Sequence, residues 1–289
     1  MYNFVILTDN TVDMPVEWLN EHEVGYECLP CSMNGVVYDK KNPIDTKLFY
    51  RQMREGAMPT TSQMNPAMAE EMFEPYLQEG KDILYLAFSS GLSGTCNSAR
   101  MAAEELKEKY PERQIKIMDS LAASMGEGLL LYYAVKLRDK GKNLDEICDW
   151  LLENRLHLCH VFTVDDLNHL HRGGRVSKAT AVLGTLANIK PMLHVDNEGK
   201  LISIGKVRGR KKSLATLVSM MEERIGRYCD KNETVFVSHG DCEADAEYVA
   251  GLVKEKFGIE NIMIHPISAT IGAHSGPGTV ALFFLGEYR

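Results

Sequence analysis

The sequence has no apolar run approaching the roughly 18 residues that a membrane-spanning helix needs, so no transmembrane segment is expected. It also lacks an excess of positive charge. Lys and Arg number 32 against 40 Asp and Glu, a net charge of -8, whereas broad binding to nucleic acid or an anionic membrane surface needs a basic footprint. The opening MYNFVILTDN has neither a charged leader region nor a cleavage site, which points to the cytoplasm. Cysteines are few and unordered: seven, an odd number without framework spacing, favour reduced thiols over disulfides. Only CLPC, Cys28 to Cys31, has redox-like spacing. A redox pair of that form opens a helix, whose N-terminus lowers the first thiol's pKa. Here the flanks VGYECLPCSMNGVVYD read as strand, with Asn34-Gly35 as a hairpin turn.

Both common phosphate loops are missing as well. Neither G-x-x-x-x-G-K-[ST] nor G-x-G-x-x-G occurs. What the chain does have is 45% hydrophobic residues in a regular alternation of apolar runs and amphipathic stretches. NFVILTD reads as a strand, and VDMPVEWLNEH as a helix with Asp13 as cap and Pro15 in its first turn. VGYECLPCS, DILYLAF and QIKIMDS read as further strands. DTKLFYRQMREG, PAMAEEMFEPYLQEG, CNSARMAAEELKEKY and AASMGEGLLLYYAVKLRDKG read as helices, with the turn-rich AMPTTSQMN between the first two. Repeated strand-helix units predict an α/β fold, a parallel sheet with helices on its faces.

Past residue 156 the character changes. HLCHVFTV leads into the short segment DDLNHLHRGGRVS, and KPMLHVDNEGKLISIGKVRGRKK reads as two alternating runs joined by a turn, an antiparallel pair. With helices SLATLVSMMEERIGRY and CEADAEYVAGLVKEKFG and strands TVFVSHG and NIMIHPIS, this part reads as α+β. The expectation is one unit over 1–289 with two lobes, about 1–157 and about 158–289. No low-complexity linker separates them, so the join is expected to be a packed interface, where small-molecule sites often sit.

Parallel-strand tips face the N-termini of the next helices, whose free N–H groups and dipole favour an anion. Three tips carry hydroxyls or a carboxylate: Thr8 to Thr11, Ser89 to Thr95, and Asp119-Ser120. In the second, Gly91 and Gly94 allow close backbone approach, and Ser93 and Thr95 add donors. A loop of hydroxyls and amides without a fixed lysine suits a carboxylate better than a polyphosphate. GLSGT also approaches the nucleophile elbow G-x-S-x-G, with Thr95 in place of the last glycine. The alternative reading is therefore a serine hydrolase using Ser93, Asp119 or Asp166, and His274. Two glycine-rich stretches complete the candidates. LHRGGRVSKATAVLG sets Gly173-Gly174 beside Arg175 and offers Ser177 as the cap of a following helix, and IGAHSGPGTVALFF surrounds His274 with flexible turns. No metal site is expected. His169 and His171 lie two apart, and His157, Cys159 and His160 lack a second ligand pair.

TDNTVDMP, PTTSQ, SSGLSGTCNSA, MDS, DLNHLHRGGRVS, IKPMLHVDNEG, KVRGRKK and HSGPGTVAL, in that order over nearly the whole chain, resemble the DegV family of bacterial fatty-acid-binding proteins. The resemblance implies a two-lobed carrier holding one long-chain fatty acid between the lobes, with no cofactor and no catalytic residue of its own. It implies a partner too, an ATP-dependent kinase that phosphorylates the presented carboxylate to an acyl phosphate. Carried over by motif, Thr61 and Ser93 contact the carboxylate, Ser62, Gly94 and Thr95 shape the loops, and Arg175 and His274 lie near the head group. Lys206, Arg208, Arg210, Lys211 and Lys212 resemble a kinase-docking segment. Met64 stands where the family often has proline, which predicts a less rigid loop. A cation-poor loop is sufficient for such a ligand: burying a sixteen-carbon tail supplies about 12 kcal/mol at ~0.8 kcal/mol per CH₂, against roughly 1.5–3 kcal/mol for a charge-assisted hydrogen bond.

Overall fold

The computed structural model describes residues 3–177 and 188–289. The helix expected after Ser177 lies outside the described residues.

Four parallel strands form the first sheet in the order β2-β1-β6-β7. Strands β1 (Phe4–Asp9), β6 (Asp82–Ala87) and β7 (Ile115–Asp119) are the apolar runs seen in the sequence, and β2 (Gly25–Glu27) is an edge. All six residues of β1 are buried, as a strand covered on both faces requires. Helices α3 (Pro66–Gln78) and α4 (Thr95–Lys109) pack on one face through Phe73, Leu77, Ala99 and Ala103. Asn65 caps α3 by accepting from Met68 N–H at 3.0 Å, and Pro66 occupies its first turn. On the other face lie α5 (Met125–Asp139) and α6 (Leu144–Asn154).

The expected strand VGYECLPCS is divided between two sheets. It pairs with β1 only as far as Glu27; after Cys28-Leu29-Pro30 the chain enters β3 (Cys31–Met33), the centre of a small antiparallel sheet ordered β4-β3-β5. Its partners are β4 (Val36–Tyr38) and β5 (Thr60–Thr61). Asn34 and Gly35 make the β3–β4 turn with φ of 53° and 80°, as the sequence predicts.

A six-stranded mixed sheet follows, ordered β10-β9-β8-β13-β11-β12. It comprises β8 (Leu158–Thr163), β9 (Ile189–Val195), β10 (Leu201–Arg208), β11 (Val235–His239), β12 (Ile262–Pro266) and β13 (Val280–Leu285). The β9–β10 pair is the expected antiparallel hairpin, whereas β11 and β12 run parallel. The helix between them, α9 (Glu243–Phe257), is their crossover, and with α8 (Arg210–Ile225) it covers the outer face of the sheet. The inner face packs on α5, so one apolar cluster runs from Ile6 and Leu86 through Leu129 and Leu130 to Phe236 and Phe283. Two short helices, α7 (Asn168–Arg172) and α10 (Ala269–Ser275), border the space that remains between the sheets, and α2 (Thr46–Arg54) packs against α10.

Candidate functional site

That space is a cavity of about 440 Å³, within the range of small-ligand sites. Its floor is the inner face of the six-stranded sheet, where Phe162, Ala281 and Phe283 point inward, and its roof is the set of loops after β6 and β7. Leu29, Phe88, Leu92, Ala123, Leu170, Val195, Leu201, Ile267 and Ile271 complete the apolar lining among the described residues. The hairpin tip between β9 and β10 closes one side: Ser89 Oγ donates to Gly199 O at 2.8 Å, and a Cβ on Gly91 would lie 2.5 Å from Glu198 O.

Polar groups from four segments meet at this cavity. Thr61 is placed by β5, which pairs with β3 at Cys31, and Ser62 N–H is fixed on Pro30 O at 2.9 Å. Ser93 stands one residue ahead of Gly94, the N-cap of α4. Arg175 follows α7, where one guanidinium nitrogen donates to Leu92 O at 3.1 Å and the other to Gly173 O. His274 lies on α10. The sequence reads this stretch as flexible turns, but Ala269, Ile271 and Ala273 pack it against Phe49, Tyr50 and Met53 of α2. At Gly272 a Cβ would meet Tyr50 Oη at 2.4 Å, so the glycine lets α10 seat closely.

The chemistry of the rim is that of an anion receptor without a closed ion pair. Thr61 Oγ1 and His274 Nε2 are 2.7 Å apart, and His274 Nδ1 is buried without a hydrogen-bond partner. Burial pushes the His274 pKa down to about 4, and the Arg175 guanidinium adds to that shift. The ring is therefore neutral at pH 7 and carries its proton on one nitrogen. With the proton on Nε2 it donates to Thr61 and frees the Thr61 hydroxyl proton; with the proton on Nδ1 that N–H is itself free. Either tautomer leaves one donor uncommitted. Ser93 Oγ lies 3.0 Å from Thr95 Oγ1 and accepts from Thr95 N–H at 3.2 Å. Burial also lowers the Arg175 pKa from its ordinary value, yet guanidinium groups in proteins remain charged.

Of the residues singled out in the sequence, Thr61, Ser62, Ser93, Arg175 and His274 line the cavity. Gly94 and Thr95 lie behind it. Gly94 N–H donates to Gln63 Oε1 at 3.2 Å, and Thr95, fully buried, accepts from Met64 N–H at 3.2 Å. Met64 thus supplies an N–H that proline lacks, and this bond ties the loop to α4. Gln63 lines the cavity and was not singled out, although it stands within PTTSQ. Ser124, Ser238 and His160 also line it; they come from three separate segments and share no local motif. Lys206, Arg208, Lys211 and Lys212 are exposed on β10 and at the start of α8. Arg210 is instead half-buried and bonded to Asp245, 2.8 Å away.

The serine-hydrolase arrangement is not assembled. His274 Nε2 engages Thr61, Asp119 accepts from the Ser90 and Leu121 amides, and Asp166 accepts from Asn168 N–H. Among the described residues no cluster of His, Cys, Asp or Glu is arranged to hold a metal ion, and no helix is long and apolar enough to cross a membrane. Cys28 and Cys31 are free thiols that burial, the leading cause for both, raises to about 11, far from the thiolate that redox exchange needs.

The family model described as "Uncharacterised protein, DegV family" matches residues 3–287. A DegV domain-containing protein of Clostridium perfringens is 46% identical over 291 residues, covering 100% of this chain and 99% of the relative. Among solved structures, a DegV lipid-binding protein from Thermotoga maritima superposes with a TM-score of 0.85 at 28% identity, covering 100% of both chains. A DegV family protein from Thermus thermophilus, solved for its fatty acid binding, has a TM-score of 0.84 at 29% identity and covers 98% of this chain and 99% of its own.

Proposed function

Because the chain belongs to the DegV family, we propose that it binds one long-chain fatty acid in the cavity between its sheets and presents the carboxylate to a separate ATP-dependent kinase. The observation that carries this reading is the division of the cavity lining. Thr61, Ser93, Arg175 and His274 supply donors and one cation at the rim, while Phe88, Phe162, Leu170 and Phe283 line the space with hydrocarbon. The head group selects orientation and the tail supplies most of the affinity, since each buried CH₂ contributes about 0.8 kcal/mol. Among the described residues Arg175 is the only guanidinium lining the cavity, and two of its nitrogens are engaged by backbone carbonyls. A carboxylate held mainly by hydroxyls and one imidazole can be released to another enzyme more readily than one locked in a bidentate ion pair. The chain itself performs no phosphoryl transfer in this reading; Lys206, Arg208, Lys211 and Lys212 dock the kinase from the cytoplasmic solution.

The direct test is denaturing mass spectrometry of the protein purified from bacteria. An intact fatty acid at near one equivalent is expected. Recovery of no lipid, together with failure of the stripped protein to take up octadecanoic acid, sinks the proposal; turnover of ester substrates with covalent labelling of Ser93 by a fluorophosphonate establishes a hydrolase instead.

A further inference from the structure

The carboxylate does not account for every polar group on the cavity wall. Ser124 and Ser238 line it at a distance in sequence from the rim residues, beside His160, which burial keeps neutral. Ser124 Oγ donates to Asp13 Oδ2 at 2.5 Å and lies 2.9 Å from Ser238 Oγ. Asp13 is sealed behind them, its other oxygen accepting from Ser268 N–H at 2.9 Å. The backbone of Ser124 has φ 54° and ψ -149°, a region that is essentially glycine's alone. Glycine would remove that strain, so what serine supplies at this position is its hydroxyl.

The sheet places this pair along the wall instead of at the rim. Ser238 pairs with Ala281, and Ala281 with Phe162, so the three form one rung of the floor. His160 lies two residues earlier on the same strand and face, about 7 Å further from the chain leading to Arg175. Ala123, next to Ser124, donates its N–H toward His160 Nε2 at 3.5 Å. Ser124 is engaged by both Asp13 and Ser238, but a purely hydrocarbon tail offers no donor to the lone pairs that Ser238 keeps toward the cavity, and leaving a buried acceptor under-used is unfavourable.

We propose that Ser124 and Ser238 form a second polar subsite, and that the preferred ligand is an oxygenated fatty acid bearing a hydroxyl group part-way along its acyl chain. This rests on the fatty-acid reading of the same cavity. The direction of the hydrogen bonds narrows the chemistry. Ser124 gives its proton to Asp13, so Ser238 gives its own to Ser124 and has only lone pairs left for a ligand. A chain hydroxyl can donate to them, whereas a chain ketone has no proton to give. Burial raises the Asp13 carboxyl to about 7, with the Ser124 and Ser268 hydrogen bonds opposing and Asp9 adding. Glu127 from α5, Tyr50 from α2 and His265 from β12 surround it. The orientation described therefore applies at about pH 8, where Asp13 is ionised.

The experiment measures dissociation constants of the delipidated protein at about pH 8 for octadecanoic acid, a positional series of its mid-chain hydroxy isomers, and the matching oxo acids. One hydroxy isomer is expected to bind about tenfold tighter than octadecanoic acid, with no such gain for its oxo counterpart. In Ser238→Ala the ratio between the two ligands is expected to fall to near one, whereas Ser124→Gly frees the Ser238 proton to donate, so there the oxo counterpart is expected to gain relative to the hydroxy isomer. If octadecanoic acid binds and every hydroxy isomer binds equally or more weakly, the subsite is overturned while the fatty-acid reading stands. A ratio preserved in both variants removes these two residues from the assignment. Absence of binding by any of the acids overturns both readings.

Discussion

Thr61 Oγ1 and His274 Nε2 meet at 2.7 Å across 213 residues of sequence, joining the small antiparallel sheet to α10. The pair is the part of the rim that both positions the imidazole and leaves a donor free for an anion. If this pair holds the head group as proposed, Thr61→Val and His274→Ala each remove one hydrogen bond to a carboxylate, worth roughly 1.5–3 kcal/mol. Fatty acid affinity is expected to fall about 10- to 100-fold in either variant. Titration calorimetry on delipidated protein checks this, and an unchanged dissociation constant in both would remove the pair from the head-group site.

His274 also gives the protein a signature in acid. Its pKa is about 4 in the folded chain and about 6.5 when unfolded. As pH falls from 6.5 toward 4, the unfolded chain takes up a proton that the folded chain refuses, so this contribution to stability is present above 6.5 and is lost on the way down. His274→Gln removes the effect. The variant's urea midpoint is expected to rise relative to wild type as pH drops through that window, with a slope difference approaching one proton. Other titrating groups cancel in the difference, so parallel profiles for the two proteins would contradict the shift.

Two glycines in the same loop should respond differently to one methyl group. At Gly91 the added carbon would meet backbone, Glu198 O at 2.5 Å, and the β9–β10 hairpin must move away. Overpacking of this kind costs about 1–3 kcal/mol, so Gly91→Ala is expected to lower the melting temperature by several degrees. At Gly94 the carbon would meet the tip of the Gln63 side chain at 2.3 Å, which can rotate aside. Gly94→Ala should therefore melt close to wild type and lose affinity a few-fold, because Gln63 lines the cavity. Thermal melts and binding isotherms on the two variants separate the cases, and equal melting would show that the hairpin does not rest on Gly91.

The parts of the fold legible in the sequence are those decided within a short window. β1 and β6 are short, mostly apolar and buried runs, and Asn34-Gly35 is a hairpin turn by its own backbone preference. The start of α6 is set just as locally, because Asn143 and Glu146 form a reciprocal capping box. β5 is only two residues long and exists because β3 pairs with it about 30 residues away, which no local pattern records. α10 reads as turn because of its glycines and serine, yet its packing on α2 overrides that propensity. Ser93, Arg175 and His274 stand out by the hydroxyl- and glycine-rich turns around them, whereas Thr61 and Ser62 are marked only by likeness to a family. Ser124 and Ser238, 114 residues apart, carried no signal at all until the sheet brought them together.

The basic segment divides by its partners. Arg210 is tied to Asp245 at 2.8 Å and lies 3.6 Å from Asp165, so it fastens the start of α8 to its surroundings. Lys206 and Arg208 stand exposed on the edge strand β10, which begins at the cavity-lining Leu201. A surface that docks a kinase near the presented carboxylate would draw on the second kind. Lys206→Glu combined with Arg208→Glu is expected to reduce acyl-phosphate formation by the kinase and ATP at least about tenfold, with fatty acid affinity unchanged, because reversed charge across an interface costs association more than folding. Arg210→Ala is expected to act the other way, lowering the melting temperature while leaving the kinase rate within about twofold of wild type once the protein is folded. Coupled assays of the two variants at several salt concentrations decide the matter. A charge-reversed protein whose bound fatty acid is phosphorylated at the wild-type rate at low salt would place the docking surface elsewhere on the molecule.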